Sequence, residues 1–149
     1  RDDVVVLALR PSHAGPRSFA TVLTAVPAEI PVARRRMAQW LTAIGVEPVR
    51  KGAILLATGE AVTNAIEHGS GCDAGKTVSV EAFLDQDAIA VTVSDQGRWT
   101  GDPSASLRSQ RRGRGLTVMS GLANQVETVR TPQGTRVVLQ FDAATVDWP

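Results

Sequence analysis

Three polar residues recur at four-residue intervals in the segment ILLATGEAVTNAIEHGS, which covers residues 54–70. If this segment is a helix, Glu60, Asn64 and His68 lie one above another on a single face. A solvated helix face usually carries lysine, arginine and glutamate in ion pairs, whereas this segment contains no lysine or arginine. The pattern therefore indicates a site that can offer a carboxylate, an amide and an imidazole to a ligand.

A second carboxylate and a hydroxyl occupy core-facing positions of two predicted strands. Because side chains alternate along a strand, Asp95 shares a face with the apolar residues before it, and Thr135 shares a face with those after it. The two rows are Ile89, Val91, Val93 and Asp95, and Thr135, Val137, Leu139 and Phe141. An ionised carboxylate is costly to bury without donors, so Asp95 needs structural partners or a ligand with an amino group. Together the carboxylate and the hydroxyl could recognise a planar heterocycle.

The segment GRGL, residues 113–116, directly precedes an apolar run with helical spacing. Gly113 and Gly115 would let backbone amides approach an anion at the start of that helix, where the helix dipole also favours phosphate. Glycine pairs also occur in ordinary turns, so this pair carries weight only together with the other features. The polar stretch before it, residues 96–112, contains four arginines and predicts a lid or a disordered loop.

Composition limits the class of protein. A chain of 149 residues fits one domain with a real core, and sixteen Lys and Arg against fifteen Asp and Glu leave a formal net charge of +1. That balance gives no electrostatic argument for nucleic acid or an acidic membrane. No stretch approaches the roughly 20 apolar residues of a membrane span, and no signal-peptide pattern opens the sequence. One cysteine and two histidines exclude an internal disulfide and a zinc cluster of these residues. We expect a soluble cytoplasmic protein with no membrane and no direct nucleic-acid partner.

The first half of the chain is predicted as a strand followed by two helices. Residues 19–26 alternate well enough for a strand. Pro31 suits the first turn of a helix, which keeps its apolar spacing until Gly45 supplies a left-handed stop. After Pro48 comes the longer helix with the polar face, which Gly69 and Gly71 are expected to end. An apolar stripe of that helix is expected to face the core, through Leu55, Gly59, Val62 and Ile66.

The second half is predicted as a hairpin and a final strand. Residues 77–84 and 88–95 form two strands joined by a short acidic turn, and the strand that begins near Thr135 follows a Pro-Gln-Gly turn. At the start of the chain, VVVLALR (residues 4–10) is also of strand type, and residues 11–18 form a linker rich in Pro, Gly and Ser. The first segment is either the tail of a preceding domain or an edge strand of this one.

Four motifs in this order resemble the Bergerat-fold ATP-binding superfamily, which includes gyrase, Hsp90, histidine kinases and MutL. EAVTNAIEHG matches the first box, DQG the second, GRGL the third and GTRVVL the closing strand. The resemblance covers residues 19–141 and is greatest to the branch of anti-sigma-factor serine kinases. It implies an α/β two-layer sandwich with a mixed, mainly antiparallel sheet and helices on one face. Residues 19–149 would form the ATP-binding kinase domain, and residues 1–10 resemble the terminal strand of a phosphatase-like domain.

The resemblance implies a role for each residue of the first two boxes. Asn64 corresponds to an asparagine that binds Mg²⁺ through its amide oxygen. Glu60 corresponds to a proposed general base that accepts the proton of a serine or threonine hydroxyl, the alternative being a carboxylate that only orders magnesium-bound water. Asp95 would accept from the amino group of adenine, with Gly97 allowing close approach and Thr135 nearby.

The third box would contact the phosphates of ATP. Gly113 and Gly115 would donate backbone amides, with Leu116 completing the motif. Arg111 corresponds to a position that can reach the γ-phosphate, and a solvated lid arginine is the alternative. One departure lies in the second box, where the family commonly has another glycine and this chain continues with Arg98 and a tryptophan. That part of the pocket is therefore expected to have a different shape.

The function implied by the resemblance is ATP- and Mg²⁺-dependent phosphorylation of an anti-anti-sigma factor of the STAS type. When that antagonist is absent, the protein would bind a sigma factor. A homodimer and a fused upstream phosphatase domain are expected on the same basis. Arg34 and Arg35 in the first helix are candidate partner contacts, although a solvated face is the more ordinary interpretation of this arginine run.

Two other functions remain open from the sequence. The domain could bind ATP and sequester a partner without transferring phosphate. It could also be the catalytic half of a histidine kinase, but such a protein carries a phospho-acceptor histidine on a helical hairpin ahead of the ATP domain. His13 lies instead in the predicted linker, which disfavours that alternative.

Overall fold

Five antiparallel strands and two long helices form the part of the chain that the computed structural model describes, residues 17–96 and 121–142. The elements are β1 (Ser18–Thr24), α1 (Ile30–Ala43), α2 (Pro48–Asn64), β2 (Thr77–Asp85), β3 (Ala88–Asp95), β4 (Gln125–Thr131) and β5 (Gly134–Phe141). The sheet order is β1-β2-β3-β5-β4, and the two helices pack on one face. The α/β sandwich is therefore confirmed. The sheet was expected to be mixed, but every pairing of the described strands is antiparallel.

Helix α1 begins and ends as its sequence predicts. A short 3₁₀ turn, Pro27–Glu29, leads into it, and Gly45 follows it with a φ of +84°, the left-handed conformation that glycine adopts at low cost. Its buried residues are Ala33, Met37, Trp40 and Leu41. The Trp40 ring packs against Phe19 of β1 with the ring centroids 5.7 Å apart. This stripe fixes the helix on the sheet.

The start of α2 is held by one acid and one arginine. The Glu47 carboxylate caps the helix by accepting from the main-chain N–H of Arg50 at 2.8 Å. The Arg50 guanidinium in turn donates to the carbonyls of Asp87 at 2.7 Å and Asp142 at 2.6 Å. Burial lowers the pKa of Arg50, and the nearby carboxylates offset part of that effect. The arginine thus ties α2 to the β2–β3 turn and to the end of β5.

The inner face of the sheet carries the predicted alternation. In β3 every second residue is buried, from Ile89 to Asp95, and in β5 Thr135, Leu139 and Phe141 are buried while Val137 is partly exposed. Residues on α2 complete this core, among them Ile54, Ala57, Ala61 and Val62. The Asp95 carboxyl group is therefore the last member of an otherwise apolar row.

Strand β4 is not among the predicted elements. Its sequence, QVETVRT, has only two apolar residues, and it pairs with β5 alone as an edge strand. An edge strand needs no continuous apolar row, which is why the periodicity of the sequence did not reveal it.

Several predictions fall on parts of the chain outside the described residues. These include the strand at residues 4–10 and nearly all of the linker at residues 11–18. The division into domains therefore stays a prediction. Neither long helix in the described ranges is apolar enough over a sufficient length to cross a bilayer.

Candidate nucleotide-binding site

Asp95 is enclosed by two glycines that leave no room for a side chain. The residue is 7% exposed at the end of β3. A Cβ atom on Gly69 would lie 2.1 Å from Asp95 Oδ2, and a Cβ atom on Gly134 would lie 2.0 Å from the Asp95 carbonyl oxygen. Both distances are far below van der Waals contact. Glycine at position 69 therefore makes room for the Asp95 carboxylate, and glycine at position 134 makes room for the Asp95 main chain.

A π-helical turn brings Gly69 to this position. The α-helix ends at Asn64, and residues Ala65–Gly69 form a wider turn in which the Ser70 N–H donates to the Ala65 carbonyl at 2.9 Å. Such turns are uncommon and occur frequently at functional sites. The sequence indicated Gly69 only as a helix stop. The structure gives it a steric role against Asp95.

The same turn affects the third residue of the predicted polar face. In a regular α-helix His68 would continue the row of Glu60 and Asn64. The wider turn shifts the helical register after Asn64, and His68 is exposed, whereas Glu60 and Asn64 are partly exposed. The first two residues lie on one face of the α-helix, and the membership of His68 in that face stays a prediction.

A main-chain donor and a cation complete the surroundings of Asp95. The Thr135 N–H donates to Asp95 Oδ1 at 3.3 Å, and Thr135 is 4% exposed. The guanidinium of Arg130, on β4, interacts electrostatically with the same carboxylate. Burial lowers the pKa of Arg130, and the negative charge of Asp95 offsets part of that effect. We call Gly69, Asp95, Gly134 and Thr135 the carboxylate cluster.

Glu60 and Asn64 form a separate polar surface, which we call the helix face. Both are partly exposed in the last turns of α2, whereas Ala61 and Val62 on the other side are buried in the core. Within residues 17–96 and 121–142, no atom lies within 4 Å of the place a Cβ atom on the neighbouring Gly59 would take. Among those residues, the space beside Gly59 is therefore open.

The two groups are linked by the π-helical turn. Asn64 directly precedes that turn, and Gly69 at its other end touches Asp95. One turn of helix thus separates the helix face from the carboxylate cluster. A ligand that extends over a similar distance could contact both.

Five predicted site residues lie outside the described ranges, namely Gly97, Arg111, Gly113, Gly115 and Leu116. Their roles stay predictions. Arg130 was not predicted as a site residue, because it belongs to the strand that the sequence pattern did not reveal. In the sequence, only its spacing could have indicated Arg130: it precedes Thr135 by five residues, across the tight turn that joins β4 and β5.

The chemistry of the described residues fits a magnesium nucleotide. A buried carboxylate can accept from the amino group of a base, and the nearby glycines allow close approach. The amide oxygen of Asn64 is a hard ligand of the kind Mg²⁺ takes, and this ion needs few protein ligands because it keeps waters and binds phosphates. Taken together, the fold and these groups define an α/β sandwich protein with a site suited to a nucleotide.

Comparison with known proteins supports this class. Residues 23–141 match the model of the histidine kinase-like ATPase domain. The anti-sigma F factor of Clostridium perfringens is 34% identical over 100 residues, which is 58% of this chain and 69% of that protein. The anti-sigma F factor of Oceanobacillus iheyensis is 28% identical over 116 residues, which is 72% of this chain and 80% of that protein. The chain therefore belongs to the histidine kinase-like ATPase domain family, within the branch that contains the anti-sigma factors.

A solved structure shares the fold. The RsbU and RsbW domains of a Mycobacterium tuberculosis protein match with a TM-score of 0.65 and 24% identity. The match covers 89% of this chain and 35% of that structure. At this identity the likeness extends to the fold alone, and this chain spans about a third of the solved chain.

Proposed function

We propose that this domain binds ATP with Mg²⁺ and phosphorylates a serine or threonine of an anti-anti-sigma factor of the STAS type. When that antagonist is absent, the domain binds a sigma factor. The observation that carries the proposal is the buried Asp95, whose carboxylate lies against Gly69 and whose main chain lies against Gly134, one helical turn from the helix face. The similarity to anti-sigma F factors supports the choice of partners.

The residues of the site contact the two ends of the nucleotide, the base at one end and the phosphates with their metal ion at the other. Asp95 accepts from the amino group of adenine, with Thr135 beside it, and Asn64 holds Mg²⁺ through its amide oxygen. When bound, ATP supplies the phosphoryl group. Glu60 is partly exposed, so the hydroxyl of a protein substrate can reach it and transfer its proton to the carboxylate.

The residues outside the described ranges have proposed roles as well. The glycines Gly113 and Gly115 donate backbone amides to the phosphates, with Leu116 beside them. Arg111 reaches the γ-phosphate, where its planar guanidinium suits phosphate geometry. Gly97 allows the base to approach Asp95.

A partner surface on α1 fits this function. Arg34 and Arg35 are exposed, whereas Arg36 donates to the Thr21 hydroxyl at 2.7 Å. The first two arginines are therefore candidates to contact an acidic partner surface, and Arg36 has a structural role at β1. A homodimer, a cytoplasmic location and a fused upstream phosphatase domain belong to the same proposal.

The catalytic part is tested by a phosphorylation assay. The parent domain and Glu60→Ala are incubated with ATP, Mg²⁺ and a STAS-type protein encoded by a neighbouring gene, and phosphoserine and phosphothreonine are measured by mass spectrometry. Loss of a general base typically lowers the rate by about 10²–10⁴-fold. Glu67→Ala is the matched control, because Glu67 is an exposed acid on the adjacent π-helical turn.

The outcomes separate the proposed function from its alternative. Phosphorylation by the parent and by the control, with little from Glu60→Ala, supports the kinase. Activity that survives in Glu60→Ala removes Glu60 from its role. ATP binding without phosphate transfer to any tested antagonist would instead indicate a module that sequesters its partner.

A further inference from the structure

Three neighbouring strands place a carboxylate, a hydroxyl and a guanidinium in one row. The last pair of β3 and β5 is Ser94 with Arg136, and extending this register by one residue sets Asp95 opposite Thr135, whose N–H donates to Asp95 Oδ1. On the other side of β5, Thr135 pairs directly with Arg130. Directly paired residues in antiparallel strands point to the same face. The row therefore runs from Asp95 on β3, across Thr135 on β5, to Arg130 on β4.

The dimensions of the row allow Arg130 to reach Asp95. Adjacent strands lie about 4.8 Å apart, so the two backbones are about 10 Å apart with the small Thr135 side chain between them. An arginine side chain is long enough to cross one strand. The Nε and Nη1 atoms of Arg130 are buried, and its charge interacts with the Asp95 carboxylate. The guanidinium thus lies within the sheet face that carries the site.

The carboxylate needs such a partner. Asp95 is 7% exposed, and an ionised carboxyl group at that burial is costly unless donors or opposite charge compensate it. The Thr135 N–H at 3.3 Å is a long hydrogen bond. A nearby cation favours the charged form of the carboxylate and limits the directions in which it can turn.

We propose that Arg130 is a positioning residue for base recognition, which acts on the nucleotide through Asp95. It holds the carboxylate ionised and oriented, so that an oxygen stays available to accept from the exocyclic amino group of adenine. This inference rests on the proposed binding of ATP. It adds a residue from β4, which lies at the edge of the sheet, to the recognition of the base.

The test compares variants that differ only at the guanidinium. Affinity for ATP with Mg²⁺ is measured by calorimetry for the parent, Arg130→Gln and Arg130→Lys. The Gln variant keeps much of the side-chain length and removes the charge, and we expect its affinity to fall about tenfold. The Lys variant restores the charge and should recover part of the loss. Arg136→Gln is the matched control, since Arg136 is exposed on the opposite face of the sheet, next to Thr135.

A second ligand distinguishes positioning from a structural role. Purine riboside triphosphate lacks the exocyclic amino group, so its affinity should be the same for the parent and for Arg130→Gln. Equal losses with both ligands would mean that the substitution disturbs the whole site, and would overturn the inference. Unchanged or tighter ATP binding by Arg130→Gln would overturn it too. If the parent does not bind ATP, the proposed function itself fails. If the parent binds ATP, the comparison of the parent with Arg130→Gln tests the role of Arg130 alone.

Discussion

The carboxylate cluster and the helix face lie one helical turn apart but are built in different ways. The cluster is buried and assembled from a π-helical turn and two strands that are distant in sequence. The helix face consists of two partly exposed side chains on successive turns of one helix. Packing between elements determines the carboxylate cluster, whereas helical periodicity alone determines the helix face. Substitutions in the cluster should therefore change both the stability of the fold and the recognition of the base. Substitutions on the helix face should change only magnesium binding or catalysis.

The largest effect is expected from Gly69→Ala. The new Cβ atom would lie 2.1 Å from Asp95 Oδ2, so the carboxylate or the turn must move. Overpacking a tight site typically costs about 1–3 kcal/mol of unfolding free energy, and ATP affinity should fall at least tenfold with it. Thermal unfolding and calorimetry measure the two effects.

Gly52→Ala provides the matched control for that substitution. Gly52 is exposed within α2, and a Cβ atom there would meet no atom of the described part of the chain within 4 Å. Alanine in a helix interior is favoured over glycine by about 0.5–1 kcal/mol. The control should therefore stabilise the domain and leave ATP binding unchanged. Equal behaviour of the two variants would contradict the steric role of Gly69.

Asn64→Ala should affect the helix face and spare the carboxylate cluster. Without the amide oxygen, Mg²⁺ should no longer raise the affinity for ATP, a loss of about tenfold. Affinity measured in a chelator should match that of the parent, because the contacts to the base are intact. A variant that still responds to Mg²⁺ as the parent does would show that the metal is held elsewhere.

Arg50→Ala tests whether α2 is anchored independently of the site. The guanidinium donates to three main-chain carbonyls, those of Asp87, Phe141 and Asp142. Their loss should lower the unfolding free energy by about 1–2 kcal/mol, as measured by denaturant titration. Lys51→Ala, which removes a bond to the exposed Thr42 hydroxyl, should change it by less than about 0.5 kcal/mol. The ATP affinity of the folded protein should be unchanged in both.

The smallest effect is expected from Thr58→Val, in the buried side of α2. The Thr58 hydroxyl is buried and has no hydrogen-bond partner among the described residues. Replacing it by a methyl group of similar size should stabilise the domain by about 1 kcal/mol. Thr63→Val, at a partly exposed position of the same helix, should have little effect. A loss of stability in Thr58→Val would mean that the hydroxyl has a role in the core.

The sequence predicted the residues whose positions follow from a single period. Alternation along β3 and β5 identified the inward positions of Asp95 and Thr135, and both are buried. Helical spacing identified the shared face of Glu60 and Asn64. The face on which each of these four side chains lies depends only on the helix or strand that carries it.

The sequence did not predict features that depend on contacts between elements. Gly69 touches Asp95 only because a π-helical turn replaces the last α-helical turn, and no simple period indicates such a turn. Arg130 required the pairing of an edge strand whose sequence is mostly polar. In each case the position of the residue depends on a contact between elements, which a single repeating pattern does not encode.

The most direct test of this account is the selectivity of nucleotide binding by the parent and by Asp95→Asn. ATP and GTP, each with Mg²⁺, are titrated into both proteins by calorimetry. The account predicts that the parent binds ATP more tightly than GTP, and that Asp95→Asn loses most of that preference while it stays folded. Equal affinities of the parent for the two nucleotides, or an unchanged preference in Asp95→Asn, would contradict the assignment of the buried carboxylate to the base.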